Sequence, residues 1–280
     1  LPAAWKRGWF SRLSFGPLFL ALIWGAIWHG ISVDVIHAHW TLAGLAAWIA
    51  SFLTHKPFVL TVHGSDVYIA PGIPGVASVT RAMLSRCARV LAVSRDLAQT
   101  TADLGFPAEQ IEVLPDGIDL DRFTPGEPER EPLLLFVGSL IHRKGVDVLL
   151  NSFAEVRLSH PGARLAIVGD GPERKSLEIQ AAELGLSSHV TFVGTQSQKQ
   201  ISQWMQKAFL FLLPSREEAL GIVLLEALAS ATPCVASRVG GVVDIVTDEV
   251  GVLVPPEDPS AMASAIVHLL QDQASWSRLQ

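Results

Sequence analysis

The chain is short of the residues that build metal centres and disulfide scaffolds. Only two cysteines, Cys87 and Cys234, occur among 280 residues. They lack metal-ligand spacing and read as reduced, cytosolic thiols. No long basic run is present and the formal charge is −6, which argues against a nucleic-acid binder with its usual basic face. No G-x-G-x-x-G follows the first strand of either half, so an NAD-binding tandem is set aside. Low-complexity segments and short repeats are missing too. Residues 1–33 hold no acid, but include Lys6, Arg7 and Arg12 with Trp5, Trp9, Trp24 and Trp28. The apolar run from Pro17 to Trp28 falls short of the roughly 20 residues a bilayer-crossing helix needs. No small-residue cleavage site precedes His29 and Asp34, so a signal peptide is not expected. Two readings stay open for this segment: a helix packed on a sheet, or a basic, Trp-rich surface resting on anionic lipid. The chain begins at Leu1 and stops inside a helical pattern, so a fragment of a longer protein is expected.

What is present is apolar material for large cores, 49% of all residues. Short apolar runs alternate with amphipathic stretches, the signature of a parallel α/β sheet. In the first half the strands expected are Val33–His39, Pro57–His63, Arg89–Ser94 and Ile111–Leu114. Helices fill Thr41–Phe52, Pro74–Cys87 and Arg95–Leu104. Pro115, Pro125, Pro128 and Pro132 then fall among Gly, Asp and Glu, a linker composition. The rhythm restarts with strands at Leu133–Val137, Arg164–Val168, Val190–Val193, Phe209–Leu213, Pro233–Ala236 and Gly251–Val254. Helices are expected at Val146–Leu158, Glu173–Leu184, Gln198–Lys207, Gly221–Ser230 and Pro259–Leu270. The organisation is thus an N-terminal Rossmann-like domain over 1–115, a linker over 116–131 and a C-terminal one over 132–280. Doubly wound units bind ligands beyond the carboxyl ends of their strands, which puts the ligand in a cleft if the two face each other.

Three clusters carry chemistry. The first is Val137-Gly138-Ser139-Leu140-Ile141-His142-Arg143-Lys144-Gly145, between a strand and a helix. Gly138 admits close backbone approach, and Arg143 and Lys144 bring two cations that suit phosphate. Alone, the pair reads equally as a solvated helix start. The second runs from Pro214 to Glu226. Amides near Gly221 and Ile222 form an anion site at a helix N-terminus. Glu218 lies just before that helix. Glu226 lies inside it on an apolar stretch, where a carboxylate needs hydrogen-bond donors such as sugar hydroxyls or a neighbouring loop. The third is Thr61-Val62-His63-Gly64-Ser65-Asp66 at a strand end, where His63 serves a reacting oxygen or bonds the backbone. His37 and His39 share a strand face, but a metal pair is disfavoured because no third ligand is apparent. Asp119-Leu120-Asp121 lies in the linker and reads as turn and interdomain contact, not as a metal-diphosphate device.

Together these residues resemble glycosyltransferase family 4, the group 1 set with the GT-B fold. The matches run in family order: Asp34–Trp40, Thr61–Asp66, Arg89–Ser94, Val113–Asp119, Phe136–Gly145, Ala166–Pro172, Pro214–Ala229, Thr232–Ser237, Gly240-Gly241 and Gly251–Pro255. The resemblance implies a retaining transferase that moves a sugar from a nucleotide-diphosphate donor to an acceptor, with no metal or other cofactor. In it Lys144 binds the donor diphosphate with Arg143 nearby, beside Gly138 and Ser139. Glu218 holds donor-sugar hydroxyls, and Leu220, Gly221 and Ile222 offer backbone amides. Glu226 holds the ribose, and His63 contacts the sugar near its anomeric centre. Departures are Ser139 where Arg is frequent, Asp116 for Asn, and Ala231 for Gly, the last expected to matter only to packing. The family's first strand and glycine-rich loop are absent. A lipid-linked or glycan acceptor at the inner membrane face is the expectation drawn from the basic, Trp-rich start. Rival readings are a nucleotide-sugar epimerase of the same fold and a non-catalytic nucleotide-sugar-binding module.

Overall fold

The computed structural model describes residues 8–68, 75–126 and 132–280, with side chains from residue 16 onward. The chain divides into two compact units, Leu1–Pro115 and Asp116–Gln280. The N-terminal unit carries a parallel sheet in the order β1-β2-β3-β4. Its strands are β1 (Ile36–His39), β2 (Phe58–Val62), β3 (Arg89–Ala92) and β4 (Ile111–Val113). They are joined by α2 (Thr41–Thr54), α3 (Ser65–Tyr68), α4 (Val76–Leu84) and α5 (Arg95–Asp103), after a leading helix α1 (Gly8–Gly30). β1 starts three residues later than the apolar run suggests. The first ladder bond joins Ile36 N–H to the Pro57 carbonyl, while Val33 and Val35 stay in water. Along β1 the side chains of Ile36 and Ala38 turn inward and His37 and His39 outward, the period-2 alternation of a half-buried strand.

α1 is apolar nearly all round and packs chiefly on α2, not on the sheet. Leu20, Trp24 and Trp28 form a stripe on its exposed side, continued by Ile31 in the turn that follows. The four-residue spacing of the first three is that of one helix face. The Trp24 and Trp28 rings stack at 6.5 Å, although each residue is about two-thirds exposed (66% and 65%). Trp5, Lys6 and Arg7 lie outside the described residues. No helix among the described residues is long and apolar enough to cross a membrane.

The C-terminal unit is a six-stranded parallel sheet, ordered β10-β9-β8-β5-β6-β7. The strands are β5 (Leu133–Val137), β6 (Arg164–Val168), β7 (Val190–Gly194), β8 (Leu210–Leu213), β9 (Cys234–Ser237) and β10 (Gly251–Val254). Between them run α6 (Val146–Ser159), α7 (Arg174–Glu183), α8 (Gln198–Lys207), α9 (Ile222–Ala229) and α10 (Val242–Ile245). The C-terminal helices α11 (Pro259–Gln271) and α12 (Gln273–Leu279) follow. Both sheet faces are covered, so the strands are apolar throughout. Leu134, Phe136, Leu165, Ile167 and Leu212 pack against α6, α11 and Trp276. Leu135, Val137, Ala166, Phe211 and Leu213 pack against α8, α9 and α10. Trp276 stacks on Phe209 and donates its indole N–H to the Phe209 carbonyl at 2.8 Å.

Residues 116–126 of the proline-rich stretch belong to this second unit. Ser202 Oγ donates to the Arg122 carbonyl at 2.7 Å, and Gln206 Nε2 to the Thr124 carbonyl at 3.1 Å. Residues 127–131, Pro128 among them, lie outside the described residues. Asp119 Oδ1 accepts from the amides of Asp121 and Arg122, so this acidic pair builds a turn. Ala231 corrects one expectation. It follows α9 with φ 51°, Ala231 N–H donates to Leu228 O and Thr232 N–H donates to Ala227 O. That is the Schellman helix end, whose left-handed position favours glycine for backbone reasons and not for packing.

Candidate functional site

The strand order places a crevice. From β5 the chain winds outward through β6 and β7, then crosses to β8 and winds the other way to β10. The winding reverses between β5 and β8, the position at which doubly wound sheets bind ligands beyond the carboxyl ends of their strands. The loops leaving these two strands are Gly138–Gly145 and Pro214–Gly221, the two clusters singled out in the sequence.

They are pressed together by backbone. Gly145 is left-handed (φ 65°) and a Cβ there would overlap the Pro214 carbonyl oxygen. Gly169 (φ 130°) does the same service on the other side, since a Cβ would overlap the Gly138 carbonyl. Gly138 N–H donates to Val168 O and Leu140 N–H to Asp170 O, each at 3.0 Å. Beside them a crevice of about 280 Å³ is lined by Gly138, Ser139, Gly169, Asp170, Thr195 and Gln196, among others.

Lys144 ends a single 3-10 turn, His142–Lys144, and its ammonium pairs with Glu218 Oε2. Both side chains are largely buried, at 16% and 14% exposure. Ser215 Oγ donates to the same carboxylate oxygen at 3.3 Å, and Gly241 N–H donates to the Glu218 carbonyl at 3.0 Å. Both side-chain contacts fall on Oε2, so Oε1 keeps its acceptor sites, and Lys144 keeps further N–H donors. Arg143 is exposed on the same turn.

Gly221, left-handed at φ 84°, caps the start of α9. Leu224 N–H turns back to the Gly221 carbonyl at 2.8 Å, while the amides of Ile222 and Val223 precede any intrahelical acceptor, as at every helix start. Glu226 lies four residues past Ile222 on the same helix face, about 6 Å along the axis. Burial raises its carboxyl above the ordinary 4.5, and Arg122 draws it back down.

The sequence reading gave no role to Arg216 and Asp147. Arg216 donates Nη1 to Asp147 Oδ1 and Nη2 to Asp147 Oδ2, both at 2.8 Å. Nη1 also reaches the His142 carbonyl at 2.7 Å, and Nε reaches Glu257 Oε1 at 2.8 Å. The Arg216 hydrogen bonds hold the Asp147 carboxyl below the usual range, against the opposing effect of burial. Glu257 itself has φ 56°, a conformation that costs a non-glycine residue on the order of 1 kcal/mol. No local pattern reveals this pair, because its members lie 69 residues apart.

In the N-terminal unit, His63 follows β2 directly. His39 Nδ1 and His63 Nε2 share a hydrogen bond at 2.9 Å, and His37 Nε2 shares one with Thr61 Oγ1 at 2.8 Å. Asp66 accepts the backbone amides of His63 and Thr41, both at 3.2 Å. Burial and the neighbouring His39 and His63 lower the His37 pKa, favouring its neutral form. Among the described residues no group of three or more His, Cys, Asp or Glu is arranged to hold a metal ion. Cys87 and Cys234 are buried and free. Burial pushes the Cys87 thiol up to about 11 and the Cys234 thiol higher, so both stay protonated and inert.

Known proteins resemble this chain over most of its length. A family model described as "Glycosyl transferases group 1" matches residues 117–280, and one described as "Glycosyltransferase Family 4" matches residues 2–122. The D-inositol 3-phosphate glycosyltransferase of Corynebacterium jeikeium (strain K411) is 34% identical over 275 residues, covering 87% of this chain and 65% of the relative. The protein of that name from Frankia alni is 33% identical, covering 88% of this chain and 68% of its own length. Sucrose-phosphate synthase from Thermosynechococcus elongatus matches with TM-score 0.77 at 28% identity, over 89% of this chain and 67% of that one. Anabaena HepE, solved in complex with UDP and glucose, shares the fold with TM-score 0.82 at 24% identity, over 94% of this chain and 74% of its own. The chain thus spans about 65% of the Corynebacterium relative's length. Its two parallel sheets are those of the GT-B fold, and the chain belongs to the group 1, family 4 glycosyltransferases.

Proposed function

We propose that the protein is a retaining glycosyltransferase that uses a nucleotide-diphosphate sugar, with the donor seated at the β5–β8 reversal. The observation that carries this reading is the Lys144–Glu218 pair lying where two loops and the N-terminus of α9 converge. The nucleoside occupies the crevice beside Gly138 and Ser139, and its ribose hydroxyls reach Glu226. Lys144, Arg143 and the amides of Leu220, Gly221 and Ile222 receive the diphosphate, while Glu218 receives sugar hydroxyls. As the bond from C1 to the β-phosphate oxygen breaks, its electron pair stays on the phosphate. The acceptor oxygen then bonds C1 on the same face, and its proton passes to the departing phosphate oxygen. Most of the catalytic effect lies in stabilising that leaving charge. Two cations and a helix terminus perform this task, so no metal is required. The family resemblance assigns His63 to the donor sugar.

The acceptor is a lipid-linked or glycan acceptor of cell-envelope assembly, reached from the cytoplasmic face of the membrane. In this reading the exposed Trp24–Trp28 pair of α1 faces the membrane. The names of the relatives favour a second reading, in which the acceptor is an inositol phosphate. Screening UDP-, GDP- and ADP-sugars against both acceptor classes in excess EDTA tests these readings together. Lys144→Ala and Glu218→Ala are expected to lower transfer about a hundredfold or more. Undiminished turnover in both variants would remove these assignments. Donor converted without any acceptor would point to an epimerase, and donor bound without release of nucleoside diphosphate to a binding module.

A further inference from the structure

Arg216 sits where a phosphate-binding arginine would be expected, in the loop after β8 and beside Lys144. Its hydrogen bonds show a different employment. The guanidinium is 15% exposed and faces two carboxylates, Asp147 at the start of α6 and Glu257 after β10. Two of its N–H groups grip Asp147 in the planar fork that only arginine offers. Nη1 also reaches the His142 carbonyl, which already accepts from Gly145 N–H at 3.1 Å. The Arg216 backbone N–H meets the Arg143 carbonyl at 2.8 Å. Three separate stretches of chain are therefore tied at one side chain: the 142–145 turn running into the start of α6, the loop after β8 and the turn after β10.

We propose that Arg216 is a positioning residue of the donor site, a strut that fixes the 3-10 turn bearing Arg143 and Lys144 against the loop bearing Glu218. The proposal rests on the reading of that turn as the diphosphate grip. Arg216 does not touch the phosphate itself. Its charge is matched by Asp147 and Glu257, whereas among the described residues Lys144 pairs with Glu218 alone. The turn has a single residue, Gly145, joining it to α6, and its His142 and Arg143 carbonyls accept from Arg216. Without the fork, the Lys144 ammonium keeps its charge and loses its fixed place, and a misplacement of about 1 Å at a reacting centre can cost roughly a hundredfold.

The test uses the intact chain and calorimetry with UDP, GDP and ADP, each paired with its monophosphate. Arg216→Lys keeps the charge and removes the fork. Asp147→Asn keeps the shape and weakens the partner. Both are expected to lose diphosphate affinity about tenfold while monophosphate affinity changes less than about twofold and the melting temperature stays close to wild type. Equal loss of both nucleotides, or no loss of either, overturns the strut. Lys144→Ala separates this from the underlying reading. If it leaves diphosphate binding intact, or if the wild-type chain binds none of the three diphosphates, the donor-site assignment fails and the strut with it. If Lys144→Ala weakens binding and the two strut variants do not, only the strut fails.

Discussion

Ala231 occupies a backbone position that asks for no side chain. Its φ of 51° closes α9, and for a residue with a Cβ this conformation costs about 1 to 2 kcal/mol. Glycine would remove that cost at the expense of a more flexible unfolded chain. Ala231→Gly is therefore expected to raise the melting temperature by roughly 2 °C, measured by calorimetry or circular dichroism. A fall in melting temperature would mean that the methyl group contributes more to packing than the backbone loses to strain.

At the scale of the element, α9 joins a binding terminus to a costly interior. Its first turn offers amides, and one turn later Glu226 stands half-buried on a helix that is otherwise apolar. The raised pKa of Glu226 means that the folded chain binds this proton more tightly than the unfolded chain. Stability is then lost as pH climbs from the ordinary value of 4.5 through the raised one, and the loss is constant above it. Glu226→Gln avoids the charge and keeps the shape. The variant is expected to melt about 1 to 3 °C above wild type at pH 7 to 8, with the advantage fading toward pH 4. It is also expected to bind the donor more weakly, a trade of function against stability. Equal melting temperatures across that pH range would show that the carboxylate is satisfied in the free protein.

For the molecule as a whole, the fold leaves several large apolar side chains of α1, α2 and the turn after α1 in water, among them Leu20, Trp24, Trp28, Ile31, Phe52 and Leu53. Contiguous apolar surface of this kind marks a contact site, and tryptophan favours the lipid–water boundary. Vesicles with anionic phosphatidylglycerol are expected to co-sediment the chain, zwitterionic vesicles far less. Trp24→Ser with Trp28→Ser should reduce binding about tenfold, given the area removed. Binding indifferent to both the tryptophans and lipid charge would reassign this face to a protein contact.

The alternation of apolar runs and helical periods was enough to determine two parallel α/β units, because burial on both sheet faces leaves its mark on every strand. It also marked the loops of Gly138–Gly145 and Pro214–Glu226, since glycines, cations and acids after a strand are visible one residue at a time. The exact start of β1 was not visible, because solvent-exposed Val33 and Val35 carry the same letters as buried ones. Nor was the left-handed turn at Ala231, which is a property of angles and not of composition. Only the tertiary structure joined Lys144 to Glu218, His39 to His63 and Arg216 to Asp147. Strand order brings these partners together: the β1–β2 pairing does so for His39 and His63, and the β5–β8 pairing, set by the crossing from β7 to β8, does so for the other two.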